Sequence, residues 1–398
     1  MLPSLIPIFL ASLAFAQADP SSTGAAVSPT CTPASGTPND TPAIEQAVQN
    51  CPNGSIYIPT GKTYNIGSLL DFKGCIGYTL AIDGTLQVTP NLTYWDGITE
   101  AILVSKINGM TIHSPSGSGV IDGNGQVFWD HIATNSEYVR PRLLRINETT
   151  NLDMHDISIR NAPAAHIVTE GWSSNVSFRN ITMHSVSTSA NVAGNTDGFD
   201  LGAVSYISLE NIHITNGDDC VALKNESDHV AVRDVTCVGS HGLSLGSLAS
   251  EHGTRGYVVD SIFERAVMIN ATKATGIKIF AAGPDHGSAS VRNITFKDIV
   301  SQGCHYALQI QTCYDATAEY CEEYPSTATL SDVVWSNITG TTSGHYGDVI
   351  GNLDCSVGGT CGISVSGLNV TAPDGGVTLL CANVDGDIGY PCTEGASG

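Results

Sequence analysis

Four short polar clusters in the middle of the chain carry the side chains that could do chemistry. They are NTDGFD from Asn195, NGDD from Asn216, GSHG from Gly239 and GIK from Gly276. The first three clusters begin 21 and 23 residues apart, so Asp197, Asp218 and Asp219 could meet on one face of a repeating fold. Carboxylates held close together repel each other, which raises one pKa and leaves a protonated acid beside ionised bases.

Such a set of carboxyl groups suits the hydrolysis of glycosidic bonds. One carboxylic acid protonates the glycosidic oxygen, and a carboxylate roughly 6.5–9.5 Å away activates water and inverts the anomeric carbon. His241 could tune the proton of the acid, and Lys278 could pair with a carboxylate on a sugar. The sequence contains no phosphate loop, dinucleotide fingerprint, HExxH motif or zinc spacing, so we predict no cofactor and no metal.

A recurring eight-residue pattern indicates which elements position these clusters. Its form is apolar-x-apolar-x-(Asn/Asp)-apolar-x-apolar, with clear copies from Leu152, Val176, Ile207 and Val230 and looser copies from Ile262, Ile294, Val333 and Ile363. The copies are 23 to 39 residues apart, an interval typical of solenoids. Alternating apolar residues predict strands, and the Asn or Asp predicts a tight turn between two strands. We therefore expect an all-β fold, a single right-handed parallel β-helix whose adjacent coils lie ~4.8 Å apart.

The N-terminal region predicts a leader and a cap. Residues 1–16 resemble a signal peptide, with a short apolar run and a small-x-small site, and residues 17–30 a flexible lead-in to a β-helix over 31–398. A helix between Asn39 and Cys51 would cap the solenoid, with Thr41 as N-cap and Pro42 at the first helical position. Its apolar stripe would consist of Ile44, Ala47 and Val48.

Composition places the protein in an oxidising, extracellular setting. The chain has 398 residues and a net charge of −22, which argues against binding to nucleic acid or to an anionic membrane. After the leader no run reaches the ~18 apolar residues of a membrane span, and a monomer is the default expectation. The twelve cysteines favour local disulfides at Cys313–Cys321, Cys355–Cys361 and Cys381–Cys392. Eleven sequons occur, and the predicted glycosylation sites are Asn91, Asn147, Asn175, Asn180, Asn270, Asn293, Asn337 and Asn369.

At its polar clusters the chain resembles the polygalacturonases, the family 28 glycoside hydrolases of pectin breakdown. Their pattern is NTDGFD, (Gly/Gln)DD, (Gly/Ser)HG and Arg-Ile-Lys, and the first three motifs occur here in the same order and spacing. The resemblance covers nearly the whole mature chain and implies a right-handed parallel β-helix, an inverting mechanism and no metal. By motif, Asp218 would be the general acid, and Asp197 and Asp219 would hold and deprotonate the attacking water. His241 would set the protonation of the acid.

The same resemblance implies substrate contacts and one further disulfide. Asn195, Lys278 and Tyr314 are the expected substrate-binding residues, Lys278 through a galacturonate carboxylate. Cys220 and Cys237 occupy the positions of a family disulfide between adjacent coils.

One position departs from the family pattern, because Gly276 stands where the family has arginine. Loss of that guanidinium should weaken binding of plain galacturonan or leave space for a decorated backbone. The segments NATKATGIKIF and QTCYDATAEYCEEYPSTA are most similar to fungal endo-xylogalacturonan hydrolases, which cut a galacturonan backbone that carries xylose. The expected partner is therefore galacturonan or xylogalacturonan. The alternatives are an exo-polygalacturonase, a β-helical pectate lyase and a non-catalytic carbohydrate-binding β-helix.

Overall fold

The computed structural model describes residues 29–74 and 76–397. The predicted signal peptide, most of the predicted lead-in and Cys75 lie outside these residues. Thr30, the last residue of the predicted lead-in, is already a strand residue.

In the described residues there are four helices and 28 strands. The helices are α1 (Thr41–Asn50), α2 (Leu92–Trp95), α3 (Gln126–Ile132) and α4 (Ala318–Glu323). The strands are β1 (Thr30–Cys31), β2 (Ser55–Ile58), β3 (Thr63–Ile66), β4 (Leu70–Asp71), β5 (Ile76–Ile82), β6 (Thr85–Val88), β7 (Glu100–Ser105), β8 (Asn108–His113), β9 (Val120–Asp122), β10 (Arg142–Asn147), β11 (Thr150–Arg160), β12 (Ile167–Glu170), β13 (Ser173–His184), β14 (Phe199–Leu201), β15 (Val204–Thr215), β16 (Val221–Leu223), β17 (Ser227–Val238), β18 (Leu243–Leu248), β19 (Arg255–Ile269), β20 (Lys273–Phe280), β21 (Ser288–Cys304), β22 (Tyr306–Tyr314), β23 (Thr329–Thr342), β24 (Val349–Asp354), β25 (Thr360–Ser366), β26 (Asn369–Thr371), β27 (Thr378–Ala382) and β28 (Thr393–Glu394).

The strands form two parallel sheets that run along the molecule. Sheet A contains the long strands, in the order β8–β11–β13–β15–β17–β19–β21–β23–β25 over most of its length. Sheet B contains the shorter strands, in the order β7–β10–β12–β14–β16–β18–β20–β22–β24–β27. Consecutive coils contribute one strand to each sheet, which confirms the predicted right-handed parallel β-helix.

The repeat pattern matches the register of sheet A, with one exception. Leu152, Val176, Ile207 and Val230 are directly paired on successive strands, as predicted. The next coil places Ser261 opposite Val230, so the copy predicted from Ile262 begins one residue earlier. The sequence pattern missed this position because Ser261 is buried there as a polar residue, where its hydroxyl accepts the Val230 N–H at 3.1 Å.

The recurring Asn or Asp does not separate two strands, which corrects the predicted tight turn. Each long strand continues through this residue, which bends the backbone with a positive φ of 54° at Asn180 and Asn211. Asparagine and aspartate tolerate the left-handed conformation better than other non-glycine residues, so they recur there.

Apolar ladders fill the interior between the sheets. Phe263, Phe296 and Trp335 stack on successive coils with ring centroids 4.9 and 5.4 Å apart. All three side chains are fully buried, so the aromatic stack stabilises the coils that follow the polar clusters.

Helix α1 covers the N-terminal end of this core, as predicted, and buries Ile44, Ala47 and Val48. Its N-cap is Asp40 rather than Thr41, so Pro42 follows the first helical residue. The cause is a competing contact, because the Thr41 hydroxyl donates to the Ser68 carbonyl at 3.1 Å.

Five disulfides join described cysteines. They include the expected pairs Cys220–Cys237, Cys313–Cys321, Cys355–Cys361 and Cys381–Cys392, together with Cys31–Cys51. Cys304 is buried and unpaired in the described part of the chain.

Of the eight predicted glycosylation sites, seven are exposed and Asn147 is half-buried. None of the described helices has the length and apolarity that crossing a bilayer requires.

Candidate active site

Three of the four polar clusters form stacked turns that lead into β14, β16 and β18 of sheet B, and the fourth, GIK, lies within β20. We call the three turns the site turns, residues 194–198, 216–220 and 239–242. The Gly198 N–H donates to the Asp219 carbonyl at 2.9 Å, and the His241 N–H donates to the Asp218 carbonyl at 2.8 Å. The following residues Phe199, Val221 and Leu243 pair in register. The structure therefore brings Asp197, Asp218, Asp219 and His241 together, as expected.

Asn216 connects two of these turns. Its Nδ2 donates to the Thr196 carbonyl at 2.8 Å and to the Asp219 carbonyl at 2.9 Å. The Thr196 hydroxyl in turn accepts the Gly217 N–H at 3.0 Å. Because these contacts fix the main chain beside two aspartates, the turns form a rigid support for the carboxylates.

Asp218 lies between a histidine and an amide. His241 Nδ1 is 3.0 Å from one carboxylate oxygen, and Asn195 Nδ2 is 3.3 Å from the other. The backbone N–H of Asp219 donates to Asp218 Oδ1 at 2.8 Å. Burial alone would raise the pKa of Asp218, but the hydrogen bond and charge of His241 outweigh it and leave this pKa below the usual value.

Arg140, which belongs to none of the sequence motifs, holds Asn195 in place. One guanidinium nitrogen donates to the carbonyls of Pro163 and Gly194 at 2.9 and 2.8 Å, and the other donates to Asn195 Oδ1 at 2.8 Å. With its oxygen bound to arginine, the Asn195 amide directs its nitrogen toward Asp218.

Asp219 is an ionised carboxylate bound by cations. Lys278 Nζ is 2.5 Å from Oδ2, the Ser244 hydroxyl donates to Oδ1 at 2.7 Å, and Lys273 Nζ is 3.6 Å from Oδ1. Its side chain is 1% exposed, and burial would raise its pKa. The charges of Lys273 and Lys278 outweigh this effect and hold the pKa of Asp219 well below its ordinary value.

Asp197 has the opposite environment. Its carboxyl group makes no hydrogen bond or ion pair with the described residues, although its main-chain carbonyl accepts from the N–H and Nδ1 of buried His166 at 2.8 and 2.9 Å. Burial, followed by repulsion from Asp200, Asp218 and Asp219, raises the pKa of Asp197 well above its ordinary value. The raised pKa favours protonation of Asp197 over Asp218 in the free protein, whereas the resemblance assigns the acid role to Asp218.

Other cations surround the carboxylates. Lys224 Nζ is 3.2 Å from Asp200 Oδ1; burial alone would lower the pKa of Lys224, but Asp200 and Asp197 raise it. Arg142 lines a cavity of about 310 Å³ together with Asn195 and Asp197. The Arg142 guanidinium makes no ion pair or side-chain hydrogen bond within the described ranges 29–74 and 76–397. Lys224 lies on the same coil as Asp219, directly after β16, whereas Arg142 begins β10 on an earlier coil.

The two expected substrate-binding residues after the site turns lie side by side. Lys278 Nζ is 5.4 Å from the centre of the Tyr314 ring, a cation–π distance, and Tyr314 packs edge-to-face on Phe280. The Lys278 side chain is only 8% exposed. Since its ammonium already binds Asp219, it can offer a substrate only its remaining N–H donors.

Gly276 does not leave an open space, which corrects the expectation of room for a decorated backbone at this point. A Cβ atom on residue 276 would lie 2.4 Å from Lys273 Cδ and 2.6 Å from Lys273 Cε. The aliphatic stem of Lys273 fills the volume, and Gly276 is buried beneath it.

Asp218, Asp219 and His241 place their ligand atoms within 4.8 Å of one another, a spacing that could hold a metal ion. However, Lys273 and Lys278 already neutralise Asp219, and a divalent cation would meet their charge at short range. The chemistry of the site thus favours acid–base catalysis by carboxyl groups over metal binding.

Comparison with known proteins agrees with this geometry. Residues 49–393 match the family described as glycosyl hydrolases family 28. The probable endo-xylogalacturonan hydrolase A of Aspergillus flavus is 44% identical over 373 residues, 92% of this chain and 91% of the relative. The endo-xylogalacturonan hydrolase A of Aspergillus tubingensis is 44% identical over 374 residues, with the same coverage. The crystal structure of the Aspergillus tubingensis enzyme superposes with a TM-score of 0.91 and 43% identity, over 93% of this chain and 100% of that one. The chain therefore belongs to glycosyl hydrolase family 28.

Proposed function

We propose that the protein is a secreted, inverting hydrolase that cleaves α-1,4-galacturonosyl bonds inside the backbone of xylogalacturonan. The observation that carries this proposal is the unequal environment of the stacked carboxyl groups. Lysines hold the pKa of Asp219 below its ordinary value, whereas the carboxyl group of Asp197 has no partner among the described residues and its pKa is raised. The curated relatives, which carry the name endo-xylogalacturonan hydrolase, support the choice of substrate. The predicted leader and the five disulfides support secretion.

Substrate binding would set the protonation states for catalysis. A sugar that covers Asp218 removes water from it, and burial raises the pKa of a carboxyl group. We expect the proton of Asp197 to transfer to Asp218 when substrate binds, which generates an acid and a base in one step. Asp218 then protonates the glycosidic oxygen, and water attacks the anomeric carbon from the opposite face. Asp197 accepts the proton of that water, while Asp219 holds it, and the anomeric configuration is inverted.

The charge pattern fits an anionic polymer. The whole chain carries −22, which repels a polyanion at neutral pH. Within the site, Arg142, Lys224, Lys273 and Lys278 provide local positive charge. In this mechanism activity needs one proton on Asp197 or Asp218, so we expect the rate to fall as the pH rises above the raised pKa of Asp197. We therefore expect a rate maximum below pH 7.

A product analysis tests the proposed function. The purified protein is incubated with xylogalacturonan and with unbranched polygalacturonate, and the products are sized over time while proton NMR follows the first anomer formed. We expect faster cleavage of xylogalacturonan to a range of oligomers with inverted configuration. Release of monomer alone, with the unbranched polymer cleaved faster, would support an exo-polygalacturonase. Unsaturated products that require calcium would instead show a lyase.

A further inference from the structure

A buried lysine outside the recognised motifs occupies the centre of the site. Lys273 begins β20 and pairs in register with Tyr306 on the next coil. Its side chain is 5% exposed, although most lysines lie at the surface. Burial of an ammonium is costly unless the charge is compensated, so such a position requires specific partners.

The partners of Lys273 are two elements of the catalytic machinery. Its Nζ donates to the main-chain carbonyl of His241 at 2.8 Å and lies 3.6 Å from Asp219 Oδ1. One ammonium thus connects the turn that carries the histidine to the carboxylate that is kept ionised. Burial lowers the pKa of Lys273 to about 8, which still leaves the amine protonated at acidic pH.

The stem of Lys273 also determines what residue 276 can be. A Cβ atom at position 276 would approach Lys273 Cδ and Cε to 2.4 and 2.6 Å, far inside van der Waals contact. A lysine at 273 and a long side chain at 276 are therefore alternatives for the same volume. Only glycine at 276 leaves the present position of the lysine undisturbed.

We propose that Lys273 is a positioning residue that replaces a cation at position 276: it keeps Asp219 ionised and fixes the turn of His241. The catalytic role of Lys273 rests on the proposed function. The packing of Lys273 against Gly276 is independent of that function. Lys273 acts through Asp219 and His241, so its loss should impair turnover more than substrate binding. Removing one of the cations around Asp219 also raises the pKa of that carboxyl group, because burial then opposes ionisation with less compensation.

The first test is Lys273→Met, which keeps the stem and removes the charge. We expect kcat on xylogalacturonan to fall about 30-fold with KM changed less than about 3-fold. The acidic limb of the pH profile should move up by about one pH unit, because Asp219 then accepts a proton at a higher pH. The control is Lys106→Met, because the Lys106 side chain is 55% exposed and its ammonium pairs with Glu148 on the surface. Wild-type kcat together with an unmoved acidic limb in Lys273→Met would overturn the proposal.

The second test exchanges the two positions. In the double variant Lys273→Ala/Gly276→Arg, the new guanidinium can occupy the volume that the Lys273 side chain fills in the wild type. We expect kcat to recover at least about 10-fold relative to Lys273→Ala. No recovery would show that a cation at 276 cannot replace Lys273.

A thermal comparison separates failure of this inference from failure of the proposed function. Gly276→Ala should lower Tm by about 3 °C in the wild-type background and by less than about 1 °C in the Lys273→Ala background. This result needs no substrate, so it holds even for a protein that cleaves another glycan. Equal losses of Tm in both backgrounds would overturn the proposed packing.

Discussion

Two stacks of polar residues, one on each sheet, differ in a way that separates stability from function. On sheet A the bent positions of successive strands form a ladder of paired polar residues that we call the asparagine ladder: Asp156, Asn180, Asn211, Asp234, Arg265, Asp298 and Asn337. Asn180 Nδ2 donates to Asp156 Oδ1 at 2.8 Å, Asn211 Nδ2 donates to Asn180 Oδ1 at 2.8 Å, and Asn337 Nδ2 donates to Asp298 Oδ1 at 2.7 Å. Each amide thus finds its partner on the preceding coil.

On sheet B the equivalent positions of successive coils differ in charge and do not repeat one contact. The residues two before the register positions are, in order, Arg142, Ala165, Asp197, Asp219, His241 and Lys273. Asp197 and Arg142 have no charged partner within 4 Å among the described residues, although they lie beside one cavity. A polar contact that repeats from coil to coil stabilises the solenoid. Charged groups without a partner in the protein are instead available to bind a ligand.

The largest expected effect tests this difference with the same substitution in both stacks. Asp218→Asn removes the proposed acid and should reduce kcat about 10³-fold or more with Tm nearly unchanged. Asp298→Asn is the matched control, because asparagine still accepts the Asn337 amide and the position lies on the other sheet. Steady-state kinetics on xylogalacturonan measures both. If Asp218→Asn keeps wild-type turnover, Asp218 has no part in the mechanism.

The next effect concerns the histidine behind Asp197. Burial lowers the pKa of His166 to about 4, against about 6.5 in an unfolded chain. Between these pH values the unfolded state binds more protons, so stability falls as the pH falls, by about 3 kcal/mol in total. His166→Gln can keep both ring contacts, to the Asp197 carbonyl and the Ser185 hydroxyl, without titrating.

Urea unfolding at pH 7, 5.5 and 4.5 measures this pH dependence. We expect the loss of unfolding free energy on acidification to be smaller in His166→Gln than in the wild type. The exposed His213 on sheet A is the control, and His213→Gln should leave the slope unchanged. An identical slope in His166→Gln would mean that His166 takes up its proton in the folded protein.

A smaller effect is expected at the unpaired cation of the site. Arg142→Gln should raise KM for the polymer about 10-fold, or ~1.4 kcal/mol, because a sugar carboxylate loses its partner. The value of kcat should change less than about 3-fold. The control is Arg179→Gln on sheet A, where the guanidinium binds Asp153 at 2.6 Å. The reverse pattern, with kcat lost and KM kept, would place Arg142 in the chemical step.

The sequence was sufficient for the solenoid and for the convergence of the aspartates. Alternating apolar residues with a recurring Asn or Asp defined the coils, and the spacing of the motifs defined which turns stack. The predictions from sequence were wrong where a polar residue occupies a buried position. Ser261 does so at the start of one repeat copy in sheet A, and Thr41 does so at the N-terminus of α1. Such residues are buried because they find hydrogen bonds on another coil, and a local pattern does not contain that information.

The same limit explains the residues of the site that no motif indicated. Arg140 and His166 contact the site turns from coils without a polar cluster of their own, whereas Lys273 lies on the strand of the GIK cluster but outside the cluster itself. Whether a long side chain reaches the site depends on its rotamer and on the volume left by its neighbours. Gly276 shows the difficulty, because its missing side chain suggested an open pocket that the stem of Lys273 in fact fills.

The smallest expected effect lies in the asparagine ladder. It separates the stability that comes from the side-chain hydrogen bond from the stability that comes from tolerance of the left-handed backbone. Asn211 has a φ of +54°, lies outside any sequon and donates to Asn180. Asn211→Gly keeps the left-handed backbone and removes only the side-chain contact. A glycine is already present at such a bent position further along sheet A, where Gly367 has a φ of +62°. We expect a loss of about 0.5–1 kcal/mol in unfolding free energy, and about 1 kcal/mol more for Asn211→Ala, which adds backbone strain. Urea midpoints of enzymatically deglycosylated protein give both values, while kcat stays at the wild-type level. A fall in kcat for either variant would show that the ladder also positions the site, and the separation between the two stacks would then fail.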